Sequence, residues 1–256
     1  MELSRTRAVV ARLEMLPEIG STNAELRTHV ADAVAWPHLS VLVTENQTAG
    51  RGRLDRSWIA PPGASLAVSV LLRRLPDAGE ARGWIPLAAG LAMADAVAAQ
   101  LPEHDVAVKW PNDVLVDGRK ICGILAEAAA DAVIVGAGVN TAMTASELPV
   151  PTATSFASLG ATADADRLLA DYLGGLDARL SALAASGDAV SSGLHEAVSA
   201  RCATLGLDVT VALPGERMLE GTATALDAEG RLVVLSAGSE HPVSAGDVVH
   251  VRPVRR

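Results

Sequence analysis

The spacing of apolar positions changes period several times along the chain. Residues 7–19 alternate loosely and predict a first strand. Ser21-Thr22-Asn23-Ala24-Glu25 then opens a helix. Thr22 and Glu25 have capping-box spacing, and Leu26, Val30 and Val34 fall on one face. Leu39 to Glu45 predicts a buried strand rich in β-branched residues. Ser65 to Leu72 predicts another, with Leu66, Val68, Val70 and Leu72 sharing a face. The polar stretch between them, Asn46 to Ser57, reads as a loop. Trp84 to Leu101 is alanine-rich and continuously apolar, which predicts a buried helix under a sheet. Val106–Trp110 and Val114–Val116 are short strands. Asp117-Gly118 marks a hairpin turn, Lys120–Ala126 the returning strand, and Ala132–Val139 a further apolar strand. A Pro/Thr/Ser-rich connection, Pro149 to Ser158, leads to helical segments over 164–186 and 188–205.

From about Leu207 short strands alternate with turns: Val209–Leu213, Met218–Leu226, Arg231–Leu235 and Val248–Val251. Ala228-Glu229-Gly230 and Ser244-Ala245-Gly246-Asp247 supply tight turns. This predicts a small β-barrel packed on a larger α/β unit, with the division at 1–205 and 206–256. The fold class expected is α/β (α+β).

Composition narrows the function. The chain has 256 residues, half of them apolar, enough for a large domain plus a small one. No apolar run reaches the roughly 18–20 residues of a membrane span, and no signal-peptide pattern opens the chain. Cys122 and Cys202 lie in no CxxC or Cys/His spacing, which fits reduced thiols of a cytoplasmic protein. A net charge of −9 argues against non-specific DNA binding. Of 21 basic residues only Lys109 and Lys120 are lysines. A GC-rich genome accounts for the arginines. The two lysines, close in sequence, suggest a place where a compact ammonium is needed and a planar guanidinium does not fit.

Two constellations carry candidate chemistry. Gly50-Arg51-Gly52-Arg53, with Arg56 and Trp58 beyond, alternates glycine with arginine. Glycine lets backbone N–H groups approach an anion, and arginine adds charge-assisted hydrogen bonds. By itself this loop fits a solvated basic loop equally well. It is no P-loop, and one Phe, one Tyr and four Trp leave no aromatic cluster for stacking RNA bases. The second constellation is Lys109-Trp110-Pro111-Asn112-Asp113, where Pro111 breaks a strand and the polar residues splay outward. Lys120 returns near Asp113 after the hairpin. Alone this is a strand-end turn with a solvated ion pair. Together the two segments make a cationic pocket in an acidic chain, suited to an anionic substrate. Gly136-Ala137-Gly138-Val139-Asn140 ends a strand, where Asn140 offers adenine a donor–acceptor pair.

In this order, Ser21-Thr22-Asn23, Gln47, Gly50 to Arg53, Arg56, Trp58, Lys109 to Asp113, Lys120, Gly123-Ile124-Leu125, Glu127 and Gly136 to Asn140 resemble the biotin protein ligases. The resemblance runs over about residues 13–142. It implies a mixed-sheet catalytic domain flanked by helices, related to lipoate ligases, and an SH3-like C-terminal domain. It also implies roles. Ser21, Thr22, Asn23, Gln47 and Arg51 would hold the biotin ureido ring and neighbouring atoms. Gly52 and Arg53 would cover the carboxylate and adenylate phosphate, and Lys120 would contact both groups. Lys109 and Asn112 would face the nucleotide phosphates, Trp58 and Asn140 the adenine. Asp113 would meet the acceptor lysine. Biotin and ATP are then the substrates, with Mg²⁺ on the phosphates and metal ligands unassigned. The partner implied is the biotin carboxyl carrier domain of an acetyl-CoA or acyl-CoA carboxylase. Ala60 stands where relatives usually carry serine. With Ser21 so near the start, the resemblance implies a ligase without the DNA-binding domain of the repressor branch. The alternatives are lipoate or octanoate ligation on the same fold, and a biotin-sensing repressor.

Overall fold

The structure is a computed structural model that describes residues 1–76, 79–213, 217–244 and 250–253. In chain order it begins with α1 (Ser4–Val9), β1 (Arg12–Leu16), α2 (Thr22–Thr28) and β2 (Ser40–Thr44). A two-residue hairpin, β3 (Gly50–Arg51) and β4 (Ser57–Trp58), precedes β5 (Ser65–Leu72) and α3 (Ile85–Ala98). Then come β6 (Val106–Lys109), β7 (Asp113–Val116), β8 (Arg119–Ala129), β9 (Ala132–Asn140), α4 (Ala165–Ser186) and α5 (Leu194–Arg201). The C-terminal segment adds β10 (Asp208–Ala212), β11 (Met218–Leu226), β12 (Leu232–Ser236), β13 (Ser239–Val243) and β14 (His250–Pro253).

Seven strands form one sheet in the order β1-β2-β5-β9-β8-β7-β6. β1 and β2 run parallel and the other neighbours antiparallel, so the sheet is mixed. Leu66, Val68, Val70 and Leu72 do share a face of β5, and pack into the main core with α3 and α4. All eight residues of β5 are nevertheless buried. On its other face Leu71 joins Leu26, Val30, Trp36 and Ile134 in a second cluster beneath α2. α3 is apolar all round because it is enclosed: the sheet covers one side and α4 the other.

Several boundaries differ from the sequence reading, each for a tertiary reason. Residues 4–9 form a helix before β1, held by Asp166 at the start of α4. Its carboxylate accepts from the Arg5 and Thr6 amides at 2.9 and 2.8 Å and from Thr6 Oγ1 at 2.8 Å. The α2 cap is Ser21, one residue earlier than the capping-box spacing indicated; its Oγ accepts from Ala24 N. α2 stops at Thr28, which leaves Val34 exposed rather than on the buried face. The helix expected over 188–205 is confined to Leu194–Arg201. β13 was not among the strands read from the sequence. It pairs with β12 across Ala237-Gly238, both at positive φ. Residues 245–247 of the turn expected at Ser244 to Asp247 and the start of the strand expected at 248–251 lie outside the described residues.

The five C-terminal strands form an antiparallel sheet in the order β13-β12-β11-β10-β14. The β11–β12 turn docks on the large sheet through two indoles. Trp84 Nε1 donates to Ala228 O at 2.8 Å, and Trp110 Nε1 to Gly230 O at 3.0 Å. Val209, Val211, Ala223, Leu232 and Val234 belong to the same apolar cluster as α3, so one core runs through both parts.

Candidate active site

A cavity of about 290 Å³ opens where α2, the β3–β4 hairpin and the β6–β7 turn meet over β5, β8 and β9. The corner that holds Lys120 and Asp113 depends on a bulge. β7 and β8 pair Asp113 with Gly123 and Val114 with Cys122, but Leu115 pairs with Lys120, so Ile121 is the extra residue. Strand neighbours alternate faces, and one inserted residue moves everything beyond it to the opposite face. The bulge sends both Ile121 and Cys122 into the core and puts Lys120 on the face of Asp113 and Gly123. Lys120 then reaches along the strand to Asp113, with Nζ 2.6 Å from Oδ1. Gly123 leaves the path open: a Cβ there would lie 2.9 Å from that ammonium nitrogen. The Lys120 backbone is fixed from outside the sheet, because its N–H donates to Thr152 O and its carbonyl accepts from Thr154 N, both at 2.8 Å.

Asn112 links this corner to the glycine–arginine hairpin. Its Nδ2 donates to Ile124 O at 2.7 Å, which turns Oδ1 toward Arg53 Nη1 at 3.4 Å. Burial pushes the Arg53 guanidinium below its ordinary value; Asp113 opposes that shift and Arg56 adds to it. Arginine remains charged throughout, so Arg53 is a partly desolvated cation beside Lys120 and Lys109. The preceding Trp110–Pro111 peptide is cis. Trp110 also lines the cavity, but its side chain is buried and its Nε1 is committed to Gly230 O in the β11–β12 turn.

The far wall uses the glycines of β9. A Cβ on Gly138 would lie 2.8 Å from the Trp58 indole, and one on Gly136 would overlap Asn23 Oδ1. The glycine pair is therefore the space that Trp58 and Asn23 occupy. At the α2 end, Gln47 Oε1 accepts from Thr22 N at 2.9 Å and Thr22 Oγ1 at 3.0 Å. Asn23 Nδ2 donates to Glu127 Oε2 at 2.6 Å, and Ser69 Oγ lies 2.6 Å from Asn23 Oδ1. Ser21 as cap leaves Thr22 and Asn23 in the first helical turn, where both side chains turn inward and are buried.

Ser21, Thr22, Asn23, Gln47, Arg51, Gly52, Arg53, Trp58, Lys109, Asn112, Asp113 and Lys120 all line this one cavity. Asn140 is not among the lining residues; it is buried, with its Nδ2 donated to Thr154 O at 2.9 Å. Ser69 was missed in the sequence, where it is an ordinary polar residue of a strand whose opposite face is apolar. Among the described residues no group of three His, Cys, Asp or Glu could hold a metal, and Asp113 is the single acid lining the cavity.

A buried polar floor and a group of cations on one cavity of a mixed sheet suit an anionic small molecule that carries a polar head. Residues 19–140 match the Biotin/lipoate A/B protein ligase family, and residues 204–251 the Biotin protein ligase C terminal domain. The chain is 39% identical over 244 residues to the biotin--[acetyl-CoA-carboxylase] ligase of Mycobacterium tuberculosis, covering 94% of this chain and 90% of that protein. The Aquifex aeolicus biotin protein ligase in complex with biotin and ATP superposes with a TM-score of 0.78 at 26% identity, over 95% of this chain and 100% of that one. The Leishmania major biotin protein ligase in complex with biotinyl-5-AMP gives 0.62 at 27% identity, over 91% and 99%. The chain belongs to the biotin protein ligase family.

Proposed function

We propose that this protein joins biotin to ATP as biotinyl-5′-AMP, releases pyrophosphate, and passes the biotinyl group to one lysine of a biotin carboxyl carrier domain. The observation that carries the reading is the meeting of Lys109, Lys120 and Arg53 around one cavity whose far end is a neutral hydrogen-bonding floor. A carboxylate attacking the α-phosphorus of ATP brings two anions together. Fixed cations offset that repulsion and the charge that develops on phosphorus, and a single such donor commonly contributes about 2.7–4 kcal/mol in the transition state.

The residue roles follow. Ser21, Thr22, Gln47 and Arg51 hold the ureido end with Asn23 supporting them from beneath, Gly52 and Arg53 cover the anhydride, and Lys120 contacts the carboxylate and α-phosphate. Lys109 and Asn112 serve the phosphates and Trp58 the adenine. Asp113 orients the incoming lysine ammonium and takes up or relays its proton, because a lysine of pKa ~10.4 is almost wholly protonated at neutral pH. Mg²⁺ accompanies the nucleotide phosphates, and no step is assigned to it. The division at 1–205 and 206–256, an SH3-like form for the second part and a cytoplasmic setting complete the reading. Biotin is favoured over lipoate by the polar floor, since a dithiolane has nothing to donate to it. The test is incubation with ATP, Mg²⁺, biotin and a carrier domain, followed by intact mass. Addition of one biotinyl group to the carrier is the expected result, and an unmodified carrier with no pyrophosphate released overturns it.

A further inference from the structure

Beneath the ureido end of the cavity, buried Ser69, Thr22 and Asn23 form a chain of polar groups that continues to partly exposed Glu127 and Arg27; the inference drawn from it rests on the biotin reading above. Ser69 is fully buried on β5, on the face toward α2. Its Oγ lies 2.6 Å from Asn23 Oδ1 and 2.7 Å from Thr22 Oγ1. Asn23 cannot turn over: its Nδ2 donates to Glu127 Oε2 at 2.6 Å and approaches Leu125 O at 3.4 Å. Glu127 is in turn held by Arg27 at 3.2 Å. The amide oxygen of Asn23 can only accept, so the Ser69 proton goes to it. Thr22 donates its one hydroxyl proton to Gln47 Oε1 at 3.0 Å, and its other near neighbour, Ser69 Oγ at 2.7 Å, also belongs to the protein. What Thr22 Oγ1 has left for the cavity is lone pairs.

We infer that Ser69 and Glu127 are positioning residues which, through Asn23, fix the Thr22 hydroxyl as an acceptor for a ligand N–H. Asn23 belongs with them, because its oxygen and its amide nitrogen are both engaged by protein groups. The arrangement selects a head group that carries N–H donors, such as a cyclic urea. It rejects one that carries none, such as a dithiolane or an alkyl chain, since burying an unpaired acceptor costs about as much as a lost hydrogen bond. Gly136 serves the same end by leaving room for the Asn23 oxygen.

The test measures pyrophosphate release by Ser69→Ala, Ser69→Thr, Glu127→Ala and the double variant Ser69→Ala/Glu127→Ala, with biotin and with lipoic acid. Ser69→Ala is expected to raise KM for biotin about tenfold, with kcat and KM for ATP within about twofold and the weak lipoate rate unmoved. Ser69→Thr keeps the hydroxyl and restores KM. Glu127→Ala gives a similar rise, and the double variant adds little to either single change, because the groups act as one unit. Unchanged biotin KM in Ser69→Ala overturns the inference. So does a joint fall in kcat, ATP affinity and melting temperature, or full additivity in the double variant. If the wild-type protein releases no pyrophosphate with biotin, the function itself falls instead. Should Ser69→Ala fail to fold, the Glu127→Ala and Ser69→Thr arms decide the same point.

Discussion

Lys120 and Asp113 stand 2.6 Å apart because one extra residue, Ile121, turns Lys120 onto the face of Asp113, and because Gly123 has no side chain to block the way. The pair is partly open to solvent, with side chains 42% and 21% exposed, so as an ion pair it contributes only about 0–1 kcal/mol to stability. Its value is in placing an ammonium and a carboxylate at one point of the cavity.

The two groups are expected to separate the half-reactions. Lys120→Ala removes the cation proposed to face the carboxylate and α-phosphate, and adenylate formation should fall by about 10²–10³-fold. Asp113→Ala removes the carboxylate proposed to meet the acceptor amine and keeps the lining cations Lys109, Lys120 and Arg53. Transfer to the carrier should drop by about a hundredfold or more, and activation by less than about tenfold. Pyrophosphate release and single-turnover transfer from preformed adenylate read the two steps separately. Equal losses in both steps for Asp113→Ala would argue against this division of labour.

Gly138 lies against the face of Trp58, and its Cβ would come within 2.8 Å of a rigid ring. Its φ is not in the left-handed region, so Gly138→Ala tests space and not backbone strain. Overpacking of this kind costs about 1–3 kcal/mol where nothing can yield. The loss should appear as a weakened KM for ATP of about tenfold, with KM for biotin close to that of the parent. Steady-state kinetics with each substrate varied in turn would show it. A rise confined to biotin would mean that Trp58 does not face the nucleotide.

The fate of the glycines illustrates what the sequence makes legible. Alternating apolar residues located β5 and its core-facing side residue by residue. The turn chemistry of Asp117-Gly118, both at positive φ, located the β7–β8 hairpin. The cations announced themselves by scarcity, since both lysines of the chain line the cavity. The bulge at Ile121 was invisible, because an extra apolar residue in an apolar strand leaves the pattern unchanged. Ser69 was hidden for a related reason: its partners Thr22 and Asn23 come from α2, and no spacing within β5 records them. Trp110 was read within a ligand-facing motif, while its ring is held at 3.0 Å by Gly230 in the other sheet. α1 depends on Asp166, far along the chain, so local alternation alone gave a strand.

Trp110 joins the lysine-bearing turn to the C-terminal sheet. Trp110→Phe keeps most of the buried ring but leaves Gly230 O without its donor, and an unsatisfied buried acceptor costs about 1–3 kcal/mol. Because one core spans both parts, unfolding should remain a single cooperative transition with a lower midpoint. Calorimetry would check this. Two separate transitions in the parent protein would mean that the C-terminal segment folds independently of the catalytic unit.

The N-terminal helix supplies a pH dependence that can be signed in advance. Burial at Asp166 works against its charged form, but hydrogen bonds from the Arg5 and Thr6 amides and the Thr6 and Ser4 hydroxyls outweigh it and hold the carboxyl below its ordinary value. A depressed carboxyl binds protons more weakly folded than unfolded. Its contribution is therefore complete above the unfolded pKa of about 3.9 and fades as pH falls through the lower folded value. α1 is short and has no side-chain cap of its own, so the loss should appear locally, as lower amide protection over residues 4–9, corrected for intrinsic exchange, as pH falls below about 4 and before the core responds. Asp166→Asn keeps an acceptor but removes the charge. Its amides 4–9 should be less protected than the parent's at neutral pH, and that protection should change little on acidification. If parent and variant exchange alike at neutral pH, the carboxylate does not hold this helix.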